Sequence, residues 1–261
     1  MEKKFKRISA FMMAFAMLLS LSTVFTGCSG PIADPDRFSE NTDGLDLPTL
    51  GNVFILGDSY STFQGYIPQE HSAYYSSSGR PETDVDRVEQ TWWYQLLEKT
   101  GSSLILNHSW SGTTICNTGY AGADEPNSFI RRFDRLAEEG FFEEHHIDTV
   151  LVMGGQNDDW ADAPIGKLKT QDWTEEDLLQ YGPALCYLMH RMKTVLPDAR
   201  IIFVVNSNMS AVIRYYQYQA ADLYDIEWIR LENIQKTNGH PTIQGMQQIA
   251  EQVLDHLKNT A

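Results

Sequence analysis

Cysteine and basic residues are scarce in this chain of 261 residues. Only 3 cysteines are present, and no cluster of histidine and cysteine has the spacing of metal ligands. We therefore expect no metal and no cofactor. The chain has 20 lysine and arginine residues against 35 aspartate and glutamate residues, a net charge of −15, and such a surface repels phosphate backbones. The composition thus argues against nucleic acid as a partner and favours a neutral substrate.

The amino terminus has the pattern of an export signal. A basic stretch, Met1–Arg7, precedes a mostly apolar run, Ile8–Phe25, which is followed by Thr26-Gly27-Cys28. This order is typical of a signal peptide over residues 1–27, although the apolar run also approaches the length of a membrane-spanning helix. The small residues before Cys28 resemble the bacterial lipobox, with Phe25 where that motif often has leucine. This resemblance implies that Cys28 is acylated and becomes the first residue of the mature protein.

Residues 28–50 are predicted to form a flexible tether. They combine three prolines with many polar and acidic groups, and they cannot bury enough apolar surface to fold alone. We therefore expect one domain over residues 51–261, a monomer on the outer face of a bacterial membrane that touches the membrane only through its lipid anchor. Export would allow Cys116 and Cys186 to form a disulfide, whereas Cys186 also fits the buried face of a helix.

Five short apolar runs alternate with helical patterns in the predicted domain. This alternation indicates βαβ units, so the sequence predicts a three-layer α/β/α sandwich around a mostly parallel five-stranded sheet. The predicted strands are Val53–Leu56, Ser103–Leu106, Thr149–Met153, Arg200–Val205 and Ile226–Leu231. The predicted helices are Trp92–Lys99, Ser128–Glu139, Glu175–Leu196, Ser210–Tyr224 and Thr242–Leu257, and Gly182-Pro183 interrupts the third of them.

A serine follows the first predicted strand. Gly57-Asp58-Ser59 comes directly after the apolar run, and ligand sites in open α/β sheets gather beyond the carboxyl ends of such strands. The tripeptide is also ordinary turn chemistry, because all three residue types favour turns. A serine hydroxyl is a weak nucleophile, so acyl transfer would need a general base and donors aimed at the developing oxyanion.

Candidates for those roles follow other predicted strands. Gly112 stands in the loop after the second strand, Gly155-Gln156-Asn157-Asp158 comes after the third, and His240-Pro241 precedes the last helix. Together with Gly57-Asp58-Ser59, these blocks resemble the four sequence blocks of the SGNH, or GDSL-type, hydrolases, which supply Ser, Gly, Asn and His in that order.

The resemblance implies a role for each matched residue. Ser59 would be the nucleophile and His240 the general base, as in a serine triad. The backbone N–H groups of Ser59 and Gly112 and the side-chain amide of Asn157 would hold the oxyanion. Asp58 and Asp158 would brace loops. Each position also has a plain alternative: a helix cap for Asn157, a loop-shaping glycine for Gly112 and a surface residue for His240.

The sequence departs from the family at one position. The family usually has an aspartate three residues before its histidine, and here that residue is Thr237. Three explanations are open: Glu232 or another acid reaches His240, Asn238 or a backbone carbonyl orients the ring in a dyad, or the site is degraded. Among acids, Glu232 is the favoured candidate.

Aromatic residues are frequent in the predicted loops after the nucleophile, Gly112 and Asn157. These residues are Tyr60, Phe63, Tyr66, Tyr74, Tyr75, Trp110 and Trp160. Aromatic rings with polar tips suit sugars, so we expect an esterase that removes acetyl groups from a carbohydrate outside the cell. The expected substrate is a small ester or an acylated glycan. The alternatives are a lipase or lysophospholipase, and a glycan-binding lipoprotein that has lost the chemistry.

Overall fold

The computed structural model of the protein describes residues 48–122 and 125–260. The predicted signal peptide, the acylation site Cys28 and nearly all of the predicted tether lie outside the described residues. Within the described ranges, no helix combines the length and the apolar character needed to cross a bilayer.

A five-stranded parallel sheet forms the centre of the protein. Its strands occur in the order β2-β1-β3-β4-β5, and every neighbouring pair is parallel. Parallel strands place their carboxyl ends at one edge, so the residues that follow them share that edge. The strands are β1 (Asn52–Gly57), β2 (Ser103–Asn107), β3 (Thr149–Met153), β4 (Arg200–Val205) and β5 (Glu227–Arg230).

Seven α-helices lie in the described part of the chain. They are α1 (Trp92–Thr100), α2 (Phe129–Glu138), α3 (Phe141–Glu144), α4 (Gln156–Trp160), α5 (Tyr181–Val195), α6 (Ala211–Leu223) and α7 (Ile243–Thr260). Single-turn 3₁₀ helices cover Ser59–Ser61, Val88–Gln90 and Asp177–Leu179, and a two-stranded antiparallel hairpin joins β6 (Lys236–Thr237) to β7 (His240–Pro241).

The helices cover both faces of the sheet. Alternate strand residues, such as Phe54 and Val152, pack with α2, α5 and α6, whereas Ile55 and Met153 face α1 and α7. Each strand is therefore covered by helices on both of its faces, which explains why the strands are continuous apolar runs. The predicted three-layer α/β/α fold is confirmed.

Two predicted details were incomplete, and the structure decides a third point that the sequence left open. The segment predicted as an interrupted helix is a 3₁₀ turn followed by α5, whose first turn contains Gly182 and Pro183. Proline fits there because the first N–H groups of a helix have no partner within it. The short elements α3, α4, β6 and β7 were not predicted. Cys116 and Cys186 are both free, buried thiols in the core.

Candidate active site

Ser59 opens the 3₁₀ turn directly after β1. The Asp58 carboxylate caps this turn by accepting a hydrogen bond from the Tyr60 N–H at 3.1 Å. Gly57 is required by close packing, because a Cβ atom there would lie 2.6 Å from Ser109 Oγ and 2.8 Å from the Ser61 side chain. The strand end and its cap therefore fix the serine at the carboxyl edge of the sheet.

His240 faces Ser59 from the β6–β7 hairpin. Its Nε2 atom lies 2.9 Å from Ser59 Oγ, and its Nδ1 atom lies 3.2 Å from the backbone carbonyl of Asn238. A carbonyl can only accept, so the Nδ1 atom carries the proton and Nε2 accepts from the serine hydroxyl. This is the tautomer that a general base requires.

A backbone carbonyl takes the place that an acid would occupy. Asn238 and Gly239 have φ angles of +47° and +80°, and this tight turn brings the Asn238 carbonyl under the imidazole. The prediction that Glu232 partners His240 is wrong, because the Glu232 carboxylate is mostly exposed and lies 3.4 Å from Arg230 Nε. The structure shows instead the backbone-carbonyl partner that the sequence left open. Thr237 pairs with His240 across the hairpin.

Aromatic side chains enclose His240. The ring of Tyr74 stacks on the imidazole at 3.5 Å with an angle of 5° between the planes, and the Tyr60 ring meets it edge-on at 5.3 Å. Tyr60 donates its hydroxyl hydrogen bond to the Gly239 carbonyl, and Tyr75 donates to the Pro241 carbonyl at 3.0 Å. Two hydroxyls thus hold the backbone on either side of the histidine.

Burial lowers the pKa of His240 to about 4. The hydrogen bond to Asn238 works in the opposite direction, and the positive charges of Arg80 and Lys236 lower the pKa further. Arg80 lies over the other face of Tyr74, 4.6 Å from the ring centre. His240 is therefore neutral at physiological pH.

The family resemblance assigns three N–H groups to the oxyanion: those of Ser59, Gly112 and the Asn157 side chain. Gly112 has a φ of +84° with open space where a Cβ would stand, so its backbone suits close approach by a substrate. Within the described ranges, neither the Ser59 N–H nor the Gly112 N–H donates to a protein group. Asn157, buried in α4, donates one amide hydrogen to the Thr113 carbonyl at 3.0 Å.

Buried charged groups hold the site loops. Asp158 accepts hydrogen bonds from the N–H groups of Ile115, at 2.9 Å, and Cys116, at 3.1 Å. Burial raises the pKa of Asp58 to about 7 and that of Asp158 to about 6. The positions of both aspartates agree with the bracing role inferred from the sequence.

Sequence reasoning missed Arg132. Its guanidinium is buried in α2 and donates to the carbonyls of Gly57, at 3.1 Å, and His108, as well as to Thr113 Oγ1 at 3.2 Å. One side chain thus connects the turn before Ser59 with the loop that carries Gly112. The amphipathic pattern of α2 does not distinguish this arginine from an exposed one.

A second missed group connects the hairpin to α4. Lys236 donates to Asn206 Oδ1 at 2.8 Å, and Asn206 donates to Gln156 Oε1 at 2.6 Å. Gln156 immediately precedes Asn157, so this chain of hydrogen bonds spans from the element that holds the base to the element that holds the amide donor.

The predicted aromatic walls are only partly at the site. Phe63 and Tyr66 pack into the core face that contains Trp93. Trp110 stacks on His71 at 4.1 Å, whereas Trp160 is 46% exposed with its ring 5.8 Å from that of His240.

One hollow of the protein adjoins the catalytic histidine, and another lies away from it. One, of about 660 Å³, is enclosed by residues 64–80, and Tyr74 lines it while stacking on His240. A larger groove of about 790 Å³ runs along β5 and α7 and contains Glu232 but none of the other site residues. Among the residues that the structure describes, no group of three or more His, Cys, Asp or Glu side chains could hold a metal ion.

Comparison with known proteins shows close relatives. The family model for GDSL-like lipases and acylhydrolases matches residues 51–257. A crystal structure of a protein assigned as a GDSL-like lipase from Bacteroides ovatus is 40% identical, with a TM-score of 0.75, covering 81% of this chain and 99% of that one. A second, from Bacteroides uniformis, is 42% identical, with a TM-score of 0.73, covering 80% of this chain and 96% of that one.

A more distant structure shares the fold. It is a family two carbohydrate esterase from Clostridium thermocellum in complex with cellohexaose, 17% identical, with a TM-score of 0.55, covering 82% of this chain and 65% of that one. No curated protein matches the chain.

Proposed function

Because the chain belongs to the family of GDSL-like lipases and acylhydrolases and is an SGNH-type ester hydrolase, we propose that it removes acetyl groups from a carbohydrate. The observation that carries the chemistry is the 2.9 Å approach of His240 Nε2 to Ser59 Oγ. The observation that favours a sugar is the exposed Trp160 ring beside that pair.

In the proposed reaction, Ser59 Oγ attacks the ester carbonyl while its proton passes to His240 Nε2. The negative charge on the carbonyl oxygen is held by the N–H groups of Ser59, Gly112 and Asn157. The intermediate collapses to an acyl-serine, and His240 returns the proton to the leaving alcohol oxygen. Water then attacks the acyl group and passes a proton to His240. His240 returns this proton to Ser59 Oγ as the bond between serine and acyl group breaks, which frees the serine and the carboxylic acid.

His240 performs this cycle without a carboxylate partner. The hydrogen bond to the Asn238 carbonyl keeps the proton on Nδ1, so Nε2 is free to accept the serine proton. In this respect the carbonyl replaces an orienting aspartate. A carbonyl dipole stabilises the imidazolium less than a full negative charge does. We therefore expect His240 to act as a general base. Its imidazolium form should be less stabilised than that of a histidine paired with an aspartate.

The carbohydrate proposal rests on two half-exposed rings. Trp160 is 46% exposed and Tyr120 is 55% exposed, and they flank Asn157, the first following it in α4 and the second bonded to its side chain. Rings of this kind stack on sugar faces and hydrogen-bond sugar hydroxyls. The negative net charge favours a neutral glycan over an anionic polymer.

The proposed location is the outer face of a bacterial membrane. The basic, apolar and small-residue order that ends at Cys28 supports it. Detergent partitioning of the full chain expressed in a bacterium tests the anchor. Wild type is expected in the detergent phase and Cys28→Ala in the aqueous phase, and recovery of both in the aqueous phase would contradict the anchor.

Hydrolysis of esters of different acyl length tests the function. We expect 4-nitrophenyl acetate to be cleaved faster than 4-nitrophenyl octanoate, and Ser59→Ala to cleave neither. We also expect acetate release from an acetylated xylo-oligosaccharide. The Bacteroides relatives are assigned as lipases, so a preference for the octanoate would support a lipase and overturn the acetyl proposal. Sugar binding without any hydrolysis would support the glycan-binding lipoprotein.

Trp160→Ala tests the sugar part separately. Loss of one stacking ring should lower kcat/KM for the acetylated oligosaccharide about 3- to 10-fold and leave 4-nitrophenyl acetate nearly unchanged. Leu223→Ala is the matched control, because Leu223 is also an exposed apolar residue, at 56%, but lies at the far end of α6. Equal losses on both substrates would remove Trp160 from the sugar site.

A further inference from the structure

The Asn157 amide is held at both of its ends. Its nitrogen donates to the Thr113 carbonyl at 3.0 Å, and its oxygen accepts from the Tyr120 hydroxyl at 2.6 Å. Since a carbonyl cannot donate, the amide nitrogen must face Thr113 and the amide oxygen must face Tyr120. One N–H of the amide then remains for the oxyanion.

We propose that Tyr120 is a positioning residue, whose hydroxyl fixes and polarises the Asn157 amide for oxyanion binding. This inference rests on the proposed function, because it concerns the same acyl-transfer step. Donation to the amide oxygen draws electron density away from the amide nitrogen, and it thereby strengthens the N–H that faces the substrate. It also opposes rotation of the amide, which would turn its oxygen toward the negative charge.

The loop below Tyr120 is anchored. The Gly119 N–H donates to Thr114 Oγ1 at 3.2 Å, and the Thr118 hydroxyl donates to the Leu179 carbonyl. Gly119 has a φ of +58°, and a Cβ there would lie 2.9 Å from the Glu125 side chain. The backbone therefore presents the tyrosine from a fixed base.

The environment of Tyr120 argues against a packing role. Tyr120 as a whole is 55% exposed, whereas its hydroxyl donates a hydrogen bond to a buried amide. Burial of the hydroxyl end raises its pKa to about 12, with Asp58 and Asp158 adding to the effect. The phenol therefore remains a hydrogen-bond donor throughout the working pH range.

A double-mutant cycle tests this role with 4-nitrophenyl acetate as substrate. The variants are Tyr120→Phe, Asn157→Ala and the two combined. We expect Tyr120→Phe to lower kcat about 3- to 10-fold with KM unchanged, the factor that one hydrogen bond ordinarily contributes. In the Asn157→Ala background, Tyr120→Phe should have no further effect, because the group through which it acts is gone.

Tyr215→Phe is the matched control. Tyr215 is 56% exposed in α6, and its variant should keep the wild-type kcat. Tyr120→Phe loses one hydrogen bond and keeps the ring, so its Tm should fall by no more than a few degrees and the variant should stay fully folded at the assay temperature.

The outcomes separate this inference from the proposed function. Wild-type hydrolysis with an unchanged Tyr120→Phe would overturn the positioning role alone. Equal losses from Tyr120→Phe in both backgrounds would also overturn it, since the effect would then not pass through Asn157. Absence of hydrolysis by wild type would overturn both.

Discussion

At the scale of single residues, the environment of His240 determines its proton affinity. A carboxylate beside a catalytic histidine would stabilise its cation. His240 is surrounded instead by neutral rings, a backbone carbonyl and the positive charges of Arg80 and Lys236. Burial is the largest cause of the lowered pKa. The free base therefore persists well into the acid range.

The pH profile of kcat/KM should show this directly. The neutral ring is the active form and its pKa is about 4 instead of 6.5, so activity should stay constant down to about pH 5 and fall by half near pH 4. The free energy of unfolding changes with pH in the same direction, because the pKa of His240 is lower in the folded chain than in the unfolded chain. The contribution of His240 is complete above pH 6.5 and is lost as the pH falls through about 4.

Arg80→Gln provides the control for that profile. Removing a positive charge that lowers the pKa should move the acid limb to higher pH. An acid limb centred near pH 6.5 in wild type would contradict the burial of His240.

At the scale of elements, the regular strands and helices were predictable and the short elements that carry the site were not. The bounds of β3 and β4 match the prediction because both are continuous apolar runs buried on both faces. The hairpin β6–β7 has two residues in each strand and no such pattern.

The site was predictable as a set of side chains and not as a set of contacts. Ser59, Gly112, Asn157 and His240 follow from motif order. The Asn238 carbonyl was one of three explanations that the sequence left open, and motif order could not select it, since it depends on the positive φ angles of a turn. The Tyr120–Asn157 bond joins residues 37 positions apart, and no local pattern marks it.

Asp158→Asn tests how the loop after Gly112 is held. Asp158 Oδ1 lies 3.1 Å from both the Ile115 and the Cys116 nitrogen, and Oδ2 lies 2.9 Å from the Ile115 nitrogen. In asparagine an NH2 group takes the place of one oxygen, and at the Oδ2 place it would face the Ile115 N–H, donor against donor. The shorter hydrogen bond and the negative charge are lost in a buried site, so the free energy of unfolding should fall by about 1–3 kcal/mol, and kcat should fall with it. Urea denaturation followed by fluorescence measures the first quantity.

Asp162→Asn is the matched substitution for that experiment. Asp162 is exposed in a turn with a φ of +52°, which asparagine adopts readily. Both stability and kcat should stay at wild-type values. A similar loss in the two variants would show that Asp158 has no special role in the loop.

At the scale of the whole molecule, stability comes from two apolar layers on one sheet and not from cross-links. Both domain cysteines are free and fully buried in the layer that contains α5. Burial also raises the pKa of each thiol, which keeps both protonated and unreactive.

Reducing agent should therefore leave thermal unfolding unchanged. Dithiothreitol has no disulfide to break in the domain, so the Tm with and without it should agree. A thiol reagent should react with the domain cysteines only after denaturation. A lower Tm under reducing conditions would indicate a disulfide that the structure does not contain.

The central claim is that His240, oriented by a backbone carbonyl, activates Ser59. The most direct measurement is the rate of Ser59 phosphonylation by a fluorophosphonate, followed by intact mass and located by peptide mapping. Wild type and Glu232→Ala should react at equal rates and on Ser59 alone, while His240→Ala should react at least ~10³-fold more slowly. Labelling at another residue, or an unchanged rate in His240→Ala, would contradict the account.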